Sequence, residues 1–414
     1  MFVNYVDDDR RSSPINLAAA RLVIGVWVVW KTVWYDWERH VDTPYRATAG
    51  ASYEWAIPTA APWLLTVETW ALLGLVALFV VGYRLRLIGL ATAFLLAHLG
   101  TVRSTLVNSG ESGSLFLGAF ILLFLTLYAD YDVLSVDGVR RTADHSVESL
   151  VAQLQSGTDR HYRMPGLKYP LLMLAILFFS TGASKVVRGG GLGFVAPDNL
   201  PRLVFVRSYV YPWHDLQLLL VDHPLIGVLG GIGTLVIELG FLVAVVSGVG
   251  FVLMLVGLVV FTLSNALVLG IFFVDNLFFF ALFAAFDRGY ARLARDRELD
   301  LVFDQHCQFC VRSLYPFKLL DIAGTVTFYP QSDAPAAYEG RAAVEFSRAM
   351  YVFDDDDAYE GYDAFRELLR QNRLFDPLVW SMGLPPVRAA GHRLYRYVAA
   401  NRGRQFSCGT ADAD

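Results

Sequence analysis

Two cysteines separated by two residues, in Cys307-Gln-Phe-Cys310, are the residues of this sequence whose spacing points most directly to chemistry. If they begin a helix, residues three apart lie on one face, and both sulfurs come within reach of a disulfide. The N–H groups and dipole of a helix N-terminus favour the thiolate form of a cysteine placed there. Cys307 is therefore predicted to be the nucleophile and Cys310 the resolving thiol.

The elements that must position this pair follow from the pattern after Glu298, where short strands alternate with helices. A dithiol at the first strand-to-helix turn of such a βαβ start is typical of a small α/β thioredoxin-like domain. A final helix is predicted to be amphipathic, with Leu394, Tyr397 and Val398 on one side. The predicted strands are Leu299 to Asp304, Thr325 to Tyr329 and Met350 to Phe353; the predicted helices are Cys307 to Ile322, Arg341 to Arg348, Tyr362 to Gln371 and Pro385 to Arg402.

Two other interpretations of the cysteine pair stay open. It could be half of a zinc site, which would need four ligands when only Cys408 and scattered histidines such as His306 and His392 remain. It could also be two incidental buried thiols. Three cysteines are too few for a disulfide framework. We predict no bound metal.

The segment Leu301-Val-Phe-Asp-Gln-His-Cys-Gln-Phe-Cys310 resembles the DCC family of thiol-disulfide oxidoreductases, whose signature is a strand ending in Asp, two residues, then CxxC. Leu394-Tyr-Arg-Tyr-Val-Ala-Ala-Asn-Arg402 is similar to the closing helix of that family. The resemblance covers residues 298–404 and implies roles for Asp304, Cys307 and Cys310. The family usually has a second Asp where this chain has His306 and a Gly where it has Gln308.

The sequence before this domain is strongly apolar: 55% of all residues are hydrophobic, and the mean hydropathy is +0.44. Apolar runs long enough to cross a bilayer recur up to Phe286 and predict a polytopic α-helical bundle of about eight spans. Only Asp275 and Asn276 separate the last two, so a re-entrant hairpin is the alternative. The predicted spans are Pro14 to Trp34, Trp63 to Tyr83, Leu87 to Leu106, Leu115 to Leu134, Tyr169 to Val187, Leu225 to Ser247, Phe251 to Ile271 and Phe272 to Phe286.

Arginine and lysine clusters in the short connections predict the orientation, because such flanks stay in the cytoplasm. With eight spans all four clusters fall on one side, which predicts a multi-pass cell-membrane protein with both termini cytoplasmic. No cleavable signal is apparent, and a net charge of −5 does not suggest nucleic acid as a partner. The clusters are Arg10 and Arg11; Arg84 and Arg86; Arg140, Arg141, Arg160, Arg163 and Lys168; and Arg288, Arg292, Arg295 and Arg297.

Ionisable residues inside apolar spans are costly and are therefore functional candidates. Arg103 and Asp275 are expected to lie at the membrane interface, and His98 and Glu68 to make a polar contact between helices. Lys185 ends the run Phe178-Phe-Ser-Thr-Gly-Ala-Ser-Lys185, whose small residues permit close helix approach. It could be a desolvated base or a lysine that reaches to the interface. The candidates are Glu68, His98, Arg103, Lys185, Glu238 and Asp275.

The run that ends at Lys185 resembles the pattern around the catalytic lysine of the vitamin K-dependent gamma-carboxylase superfamily, which includes horizontally transferred transmembrane domains and the sporulation-delaying protein B group. Residues 115–138, ending Leu-Ser-Val-Asp-Gly, together with Arg21, Gly25 and Asn265, fit the broader group. The resemblance covers residues 14–286 and implies Lys185 as a candidate base. No histidine occurs in Asn108-Ser-Gly-Glu-Ser-Gly113, where the carboxylase has its second catalytic histidine.

These observations divide the chain into a transmembrane domain (1–290), a DCC-type thioredoxin-like domain (298–404) and a tail (405–414). The first functional hypothesis is a membrane-anchored enzyme, a thiol-disulfide oxidoreductase of the protein-disulfide reductase type that acts on an unknown thiol or disulfide client. It needs no bound cofactor, although a lipid quinone could receive the electrons. The second is a maturation or immunity factor whose bundle binds a secreted peptide or lipid, with a regulatory dithiol domain.

Overall fold

The computed structural model describes residues 11–34, 62–107, 112–142, 145–156, 162–163, 165–188, 191–199, 201–202, 222–269, 273–339, 346, 349–354 and 357–405. Clustering of contacts divides the chain into two compact units. The first contains residues 19–131 and 163–284 and is helical. The second contains residues 132–162 and 285–414, together with residues 12–18, and holds the sheet. The domain boundaries expected from sequence stay predictions.

The helical unit consists of long apolar helices. Five helices in the described residues are long and apolar enough to cross a membrane: Pro14–Trp34, Trp63–Val81, Leu85–Val102, Pro165–Arg188 and Pro224–Ser247. The helix bounds, in chain order, are α1 (Pro14–Trp34), α2 (Pro62–Val81), α3 (Leu85–Val107), α4 (Ser112–Leu127), α7 (Pro165–Arg188), α8 (Pro224–Ser247), α9 (Phe251–Ser264) and α10 (Val274–Ala281), with α5 and α6 lying between α4 and α7 in the other unit.

The predicted number of about eight spans is not confirmed. Two apolar helices, Gly113–Leu127 and Phe251–Leu267, are shorter than the length needed for a straight crossing. The predicted eighth span, Phe272 to Phe286, contains only α10, because the helix ends at Ala281 and a new helix starts at Phe286. A stretch of π-helix at Asn265–Leu269 also interrupts the regular hydrogen-bond pattern after α9.

The dithiol unit is built on a four-stranded mixed sheet. Its strands are β1 (Leu299–Phe303), β2 (Val326–Pro330), β3 (Tyr351–Asp354) and β4 (Asp357–Glu360), in the order β2-β1-β3-β4. Strand β2 is parallel to β1, whereas β3 is antiparallel to β1 and forms a hairpin with β4. Its helices are α5 (Val136–Thr142), α6 (Val147–Gln155), α11 (Phe286–Arg292), α12 (Gln308–Leu320), α13 (Ala336–Glu339), α14 (Tyr362–Arg370), α15 (Asp376–Met382) and α16 (Pro385–Gln405).

Most of the elements predicted for this domain are present, with shifts of one to three residues at their ends. The helix predicted at Arg341 to Arg348 falls largely outside the described residues. Strand β4 was not predicted, because its acidic sequence carries no apolar alternation, and three of its four residues are exposed. The α/β interpretation of the C-terminal region therefore agrees with the observed mixed sheet.

The sheet has an apolar layer on each face. Alternation along β1 sends Leu299, Leu301 and Phe303 to one face, where they meet α12 and α14, and Val302 to the other. The second face is aromatic: the ring of Tyr338 stacks on Phe353 with centroids 4.0 Å apart. A hydrophobic core thus lies on each side of β1, the strand that leads to the cysteine pair.

A segment far away in sequence completes the first of these cores. Leu150 and Leu154 of α6 are fully buried in the same cluster as the strand residues of β1. Ser146 caps the start of α6 by accepting a hydrogen bond from the Ser149 N–H at 3.3 Å. The hydrophilic connection between α4 and α7 therefore folds as part of the dithiol unit, and residues 298–404 alone do not contain the whole core.

Candidate functional site

Cys307 and Cys310 lie at the start of α12, directly after β1. Cys307 is the N-cap residue, with an extended backbone (φ −84°, ψ 99°), and its Sγ accepts a hydrogen bond from the Cys310 N–H at 3.4 Å. The Cys307 carbonyl accepts from the Val311 N–H at 3.1 Å, the first bond of the helix. The sulfur thus occupies the place that a serine or aspartate oxygen takes in an ordinary helix cap. Neither cysteine forms a disulfide in this structure.

Asp304 shapes the turn between the strand and the helix. One of its carboxylate oxygens accepts from the His306 N–H at 2.9 Å, and its carbonyl accepts from the Cys307 N–H at 3.3 Å. The sequence implied a role for Asp304 by resemblance, and the structure gives it a contact with the backbone on which Cys307 is held. His306 itself is exposed at the tip of this turn. Asp304 thus holds the backbone of the turn that leads to Cys307.

The two thiols differ in accessibility. Cys307 is fully buried, whereas Cys310 is partly exposed. The Cys307 sulfur is therefore covered in this conformation, while part of Cys310 is open to solvent. The assignment of Cys307 as nucleophile and Cys310 as resolving thiol stays a prediction. Because Cys307 is buried and Cys310 is not, an experiment that tests it must distinguish adducts on the two thiols.

The segment that enters β3 lies beside the dithiol. Because Val302 of β1 pairs with Tyr351 of β3 in antiparallel register, the start of β3 meets the end of β1. The Met350 N–H donates to the Tyr395 hydroxyl at 3.3 Å, so the closing helix α16 holds this corner. The sequence has no proline from residue 336 to residue 376, so no counterpart of the thioredoxin cis-proline precedes β3.

Lys185, the candidate from the membrane part, forms an ion pair with Glu238 of α8. The Glu238 side chain is only 3% exposed, and its Oε2 has no hydrogen-bond partner in the described part of the chain. The Phe194 ring lies 5.6 Å from the Lys185 ammonium. Gly182 brings α7 close to α8: a Cβ built on it would lie 3.0 Å from the Glu238 Cβ. Lys185 therefore has a protein partner within the helical unit; whether it is a base or an interfacial anchor stays open.

The other ionisable residues of the spans fall into three groups. Asp275 is largely buried in the helical unit, where it accepts from the Trp27 indole at 2.8 Å and pairs with Lys31 at 2.8 Å. Its expected place at the membrane interface stays a prediction. His98 Nδ1 and Glu68 Oε2 lie 3.2 Å apart, which agrees with the predicted polar contact. The Arg103 side chain lies outside the described residues.

Sequence reasoning missed two contributions to these sites. Lys31 lies near the end of an apolar helix and carried no motif, although a buried charge such as Asp275 should have prompted a search for its partner. Leu150 and Leu154 lie about 150 residues before the cysteine pair, and only the spacing of leucines in a hydrophilic connection hinted at their burial. Among the described residues, no group of three or more His, Cys, Asp or Glu side chains could hold a metal ion.

Comparison with protein families gives one match. Residues 301–408 match the family model described as DCC1-like thiol-disulfide oxidoreductase. The match includes both cysteines and α16, and it supports the resemblance of the C-terminal region to the DCC family. No comparison shows the resemblance of the apolar helices to the carboxylase superfamily, which stays a prediction. No curated protein and no solved structure matches the chain.

Proposed function

We propose that this chain is a membrane-anchored thiol-disulfide oxidoreductase that uses Cys307 and Cys310. The observation that carries the proposal is the pair of cysteine thiols at a strand-to-helix turn, within a segment that matches a thiol-disulfide oxidoreductase family. The apolar helices before it are compatible with membrane insertion. In this proposal the thiol exchange takes place next to a membrane, where the domain would meet its client.

The proposed exchange has two steps. The Cys307 thiolate attacks one sulfur of a client disulfide; the client S–S bond breaks, and the departing sulfur leaves as a thiolate that takes up a proton. The Cys310 sulfur, after losing its proton, then attacks Cys307 Sγ and expels the second client thiol. The client disulfide gains two electrons, and the dithiol becomes a Cys307–Cys310 disulfide. In the opposite direction the same steps oxidise a client dithiol.

The local structure supports Cys307 as the attacking thiol. Its sulfur accepts a backbone N–H at a helix start, and such contacts stabilise a thiolate more than a neutral thiol. Cys310, in the first turn of the same helix, is in position to resolve the mixed disulfide. The burial of Cys307 adds a requirement: attack follows an opening of the turn that Asp304 holds closed.

Trapping in the full-length protein tests the proposal. Cys310→Ser should accumulate a mixed disulfide on Cys307 when a peptide disulfide is supplied, and Cys307→Ser should abolish turnover, whereas Cys408→Ser should behave as the unaltered protein. Adducts that form on Cys310 in the Cys307→Ser variant, with none on Cys307, would reverse the two roles. A protein that exchanges with no disulfide while both thiols are accessible would refute the proposal.

The Lys185–Glu238 pair favours a second candidate, a maturation or immunity factor that binds a secreted peptide or lipid. A buried carboxylate oxygen without a partner can accept a hydrogen bond from a ligand. The Lys185 side chain is 26% exposed and can donate one. Complementation of a deletion strain separates the candidates: dependence on Lys185 but not on Cys307 supports the binding factor, with Lys168→Met as the matched control, and the reverse supports the enzyme.

We further propose an eight-span topology with both termini cytoplasmic. Leu150 and Leu154, before α7, share a core with β1, after α10, so the chain between them crosses the membrane an even number of times. Helices α7 and α8 account for two crossings, and α9 with α10 must add either two or none. An epitope at the C-terminus should therefore bind antibody only after the cell is permeabilised; binding in intact cells would contradict the orientation.

A further inference from the structure

The closing helix α16 presents an apolar stripe to the outside of the dithiol unit. Its inner side is fixed by Tyr395, whose hydroxyl accepts from the Met350 N–H and whose ring lies near Phe365. The sequence placed Leu394, Tyr397 and Val398 on one side of this helix. In the structure the Leu394 and Tyr397 side chains are 64% and 61% exposed. Leu394 and Tyr397 thus face away from the core of the dithiol unit.

The exposed apolar residues have helical spacing. Ala390, Leu394 and Tyr397 recur at intervals of four and three residues, so they lie along one face of α16, and Val387 lies next to that line. The segment before α16, residues 374–382, includes α15 and also exposes large apolar side chains: Leu374, Leu378 and Trp380. Exposed apolar surface of this extent normally marks an interaction site.

The charge of α16 defines the chemistry of its partner. The helix contains arginines and a histidine but no Asp or Glu. Arg388 is committed to Asp363 at 2.7 Å, and Arg396 lies on the same side of the helix, where it donates to the His392 carbonyl at 3.4 Å; Arg393 is exposed at the edge of the apolar stripe. Leucine and aromatic side chains flanked by arginines, with no acidic residue, are typical of helices that lie in the interface of an anionic bilayer. The arginines are at positions 388, 393, 396, 402 and 404.

We propose that α15 and α16 dock the dithiol unit on the surface of a membrane leaflet that contains anionic lipids. The covalent structure favours a bilayer as the occupant: only residues 282–298 connect the last apolar helix to β1. A tether of this length keeps the leaflet at high effective concentration, so even weak interfacial contacts are sufficient for docking. The arginines meet the lipid phosphates, and Leu394 and Tyr397 enter the acyl boundary. The inference is independent of which cysteine attacks.

Lipid photocrosslinking in nanodiscs tests this docking on the full-length protein. Nanodiscs of phosphatidylcholine, with or without phosphatidylglycerol, carry a lipid with a photoactivatable group in its acyl chain, and mass spectrometry locates the adducts. We expect adducts between residues 374 and 397 that increase when phosphatidylglycerol is present. Arg393→Glu, which lowers the net charge by two, should lower their yield severalfold at low salt.

A matched control has the same change in net charge on another surface. Ser332→Asp with Ala337→Asp, both exposed, should leave the adducts unchanged. The apolar helices provide an internal standard, because they are labelled in every sample, and continued burial of Cys307 shows that each variant is folded. Labelled apolar helices with no adduct in residues 374–397 would overturn the proposal. Cross-links from this surface to a second copy of the chain, in place of lipid adducts, would overturn it as well.

Discussion

Truncation of Leu154 is the sharpest test of the shared core between α6 and the dithiol domain. Leu154 and its neighbour Leu150 are fully buried in the cluster that also contains side chains of β1, β2 and α12. Removing the side chain of such a leucine costs about 3 kcal/mol, through lost burial and the cavity that remains. Leu154→Ala should therefore lower the free energy of opening of the dithiol unit by about that amount, although the substitution lies outside the region that matches the family model.

Alkylation of Cys307 in moderate urea measures this change, because opening of the whole unit then exposes the buried thiol more often than opening of the turn at residues 304–307 alone. When opening is a rapid pre-equilibrium, a loss of about 3 kcal/mol accelerates the reaction about a hundredfold. Leu394→Ala, at a side chain that is 64% exposed, is the matched control and should change the rate little. A rate in Leu154→Ala equal to that of the unaltered protein would refute the view that α6 belongs to this core.

Three further predictions concern other parts of the structure. Gly361→Ala should lower the thermal midpoint of the dithiol unit, because residue 361 has φ +57° and an added Cβ would lie 2.5 Å from the Tyr395 ring. Lys31→Met should destabilise the helical unit in detergent by about 3 kcal/mol or more, since it leaves Asp275 charged and buried, and adding Asp275→Leu should restore part of the loss. Burial raises the pKa of Tyr290 above its ordinary value of 10.0, with a further contribution from a nearby carboxylate, so stability present at pH 9 should decrease above pH 10 in an alkaline unfolding series.

Each of these has its own control. Gly289→Ala, where an added Cβ meets nothing within 4 Å, should be tolerated, and equal loss in both glycine variants would contradict the steric reasoning. For the ion pair, a double variant no more stable than Lys31→Met would show that the uncompensated charge is not the cause. For Tyr290, the native state favours the neutral phenol, so the stability of the Tyr290→Phe variant should decrease less steeply as the pH rises above 10. An equally steep decrease in the variant would show that other groups cause the loss of stability.

The dithiol region was predictable because its signals are local. Strand β1 has apolar residues on both faces, the two cysteines follow it directly, and the helix after them is long enough to be recognised. The same local reasoning found the closing helix but did not say which of its sides packs on the domain. The side that packs carries Tyr395, whose hydroxyl completes a backbone hydrogen bond at Met350, and hydrophobicity alone does not reveal such a contact.

The unpredicted features depend on partners distant in sequence. The burial of Asp275 depends on Lys31 and Trp27, which lie about 245 residues earlier, and the core of the dithiol unit depends on α6. Strand β4 forms because β3 offers it a free edge, and its own acidic sequence favours a turn. The contact of Lys185 with Glu238 could be anticipated, since a buried lysine requires a carboxylate and few are present in the spans.

A redox titration of the full-length protein tests the central claim most directly. Protein in nanodiscs is equilibrated with mixtures of reduced and oxidised dithiothreitol and quenched with an alkylating reagent under denaturing conditions, and the state of Cys307 and Cys310 is read by mass spectrometry. The account predicts one reversible two-electron transition in which both cysteines become protected together as a disulfide, absent from Cys307→Ser and Cys310→Ser and retained in Cys408→Ser. Two thiols that stay alkylated at every ratio, or that become protected independently of each other, would contradict it.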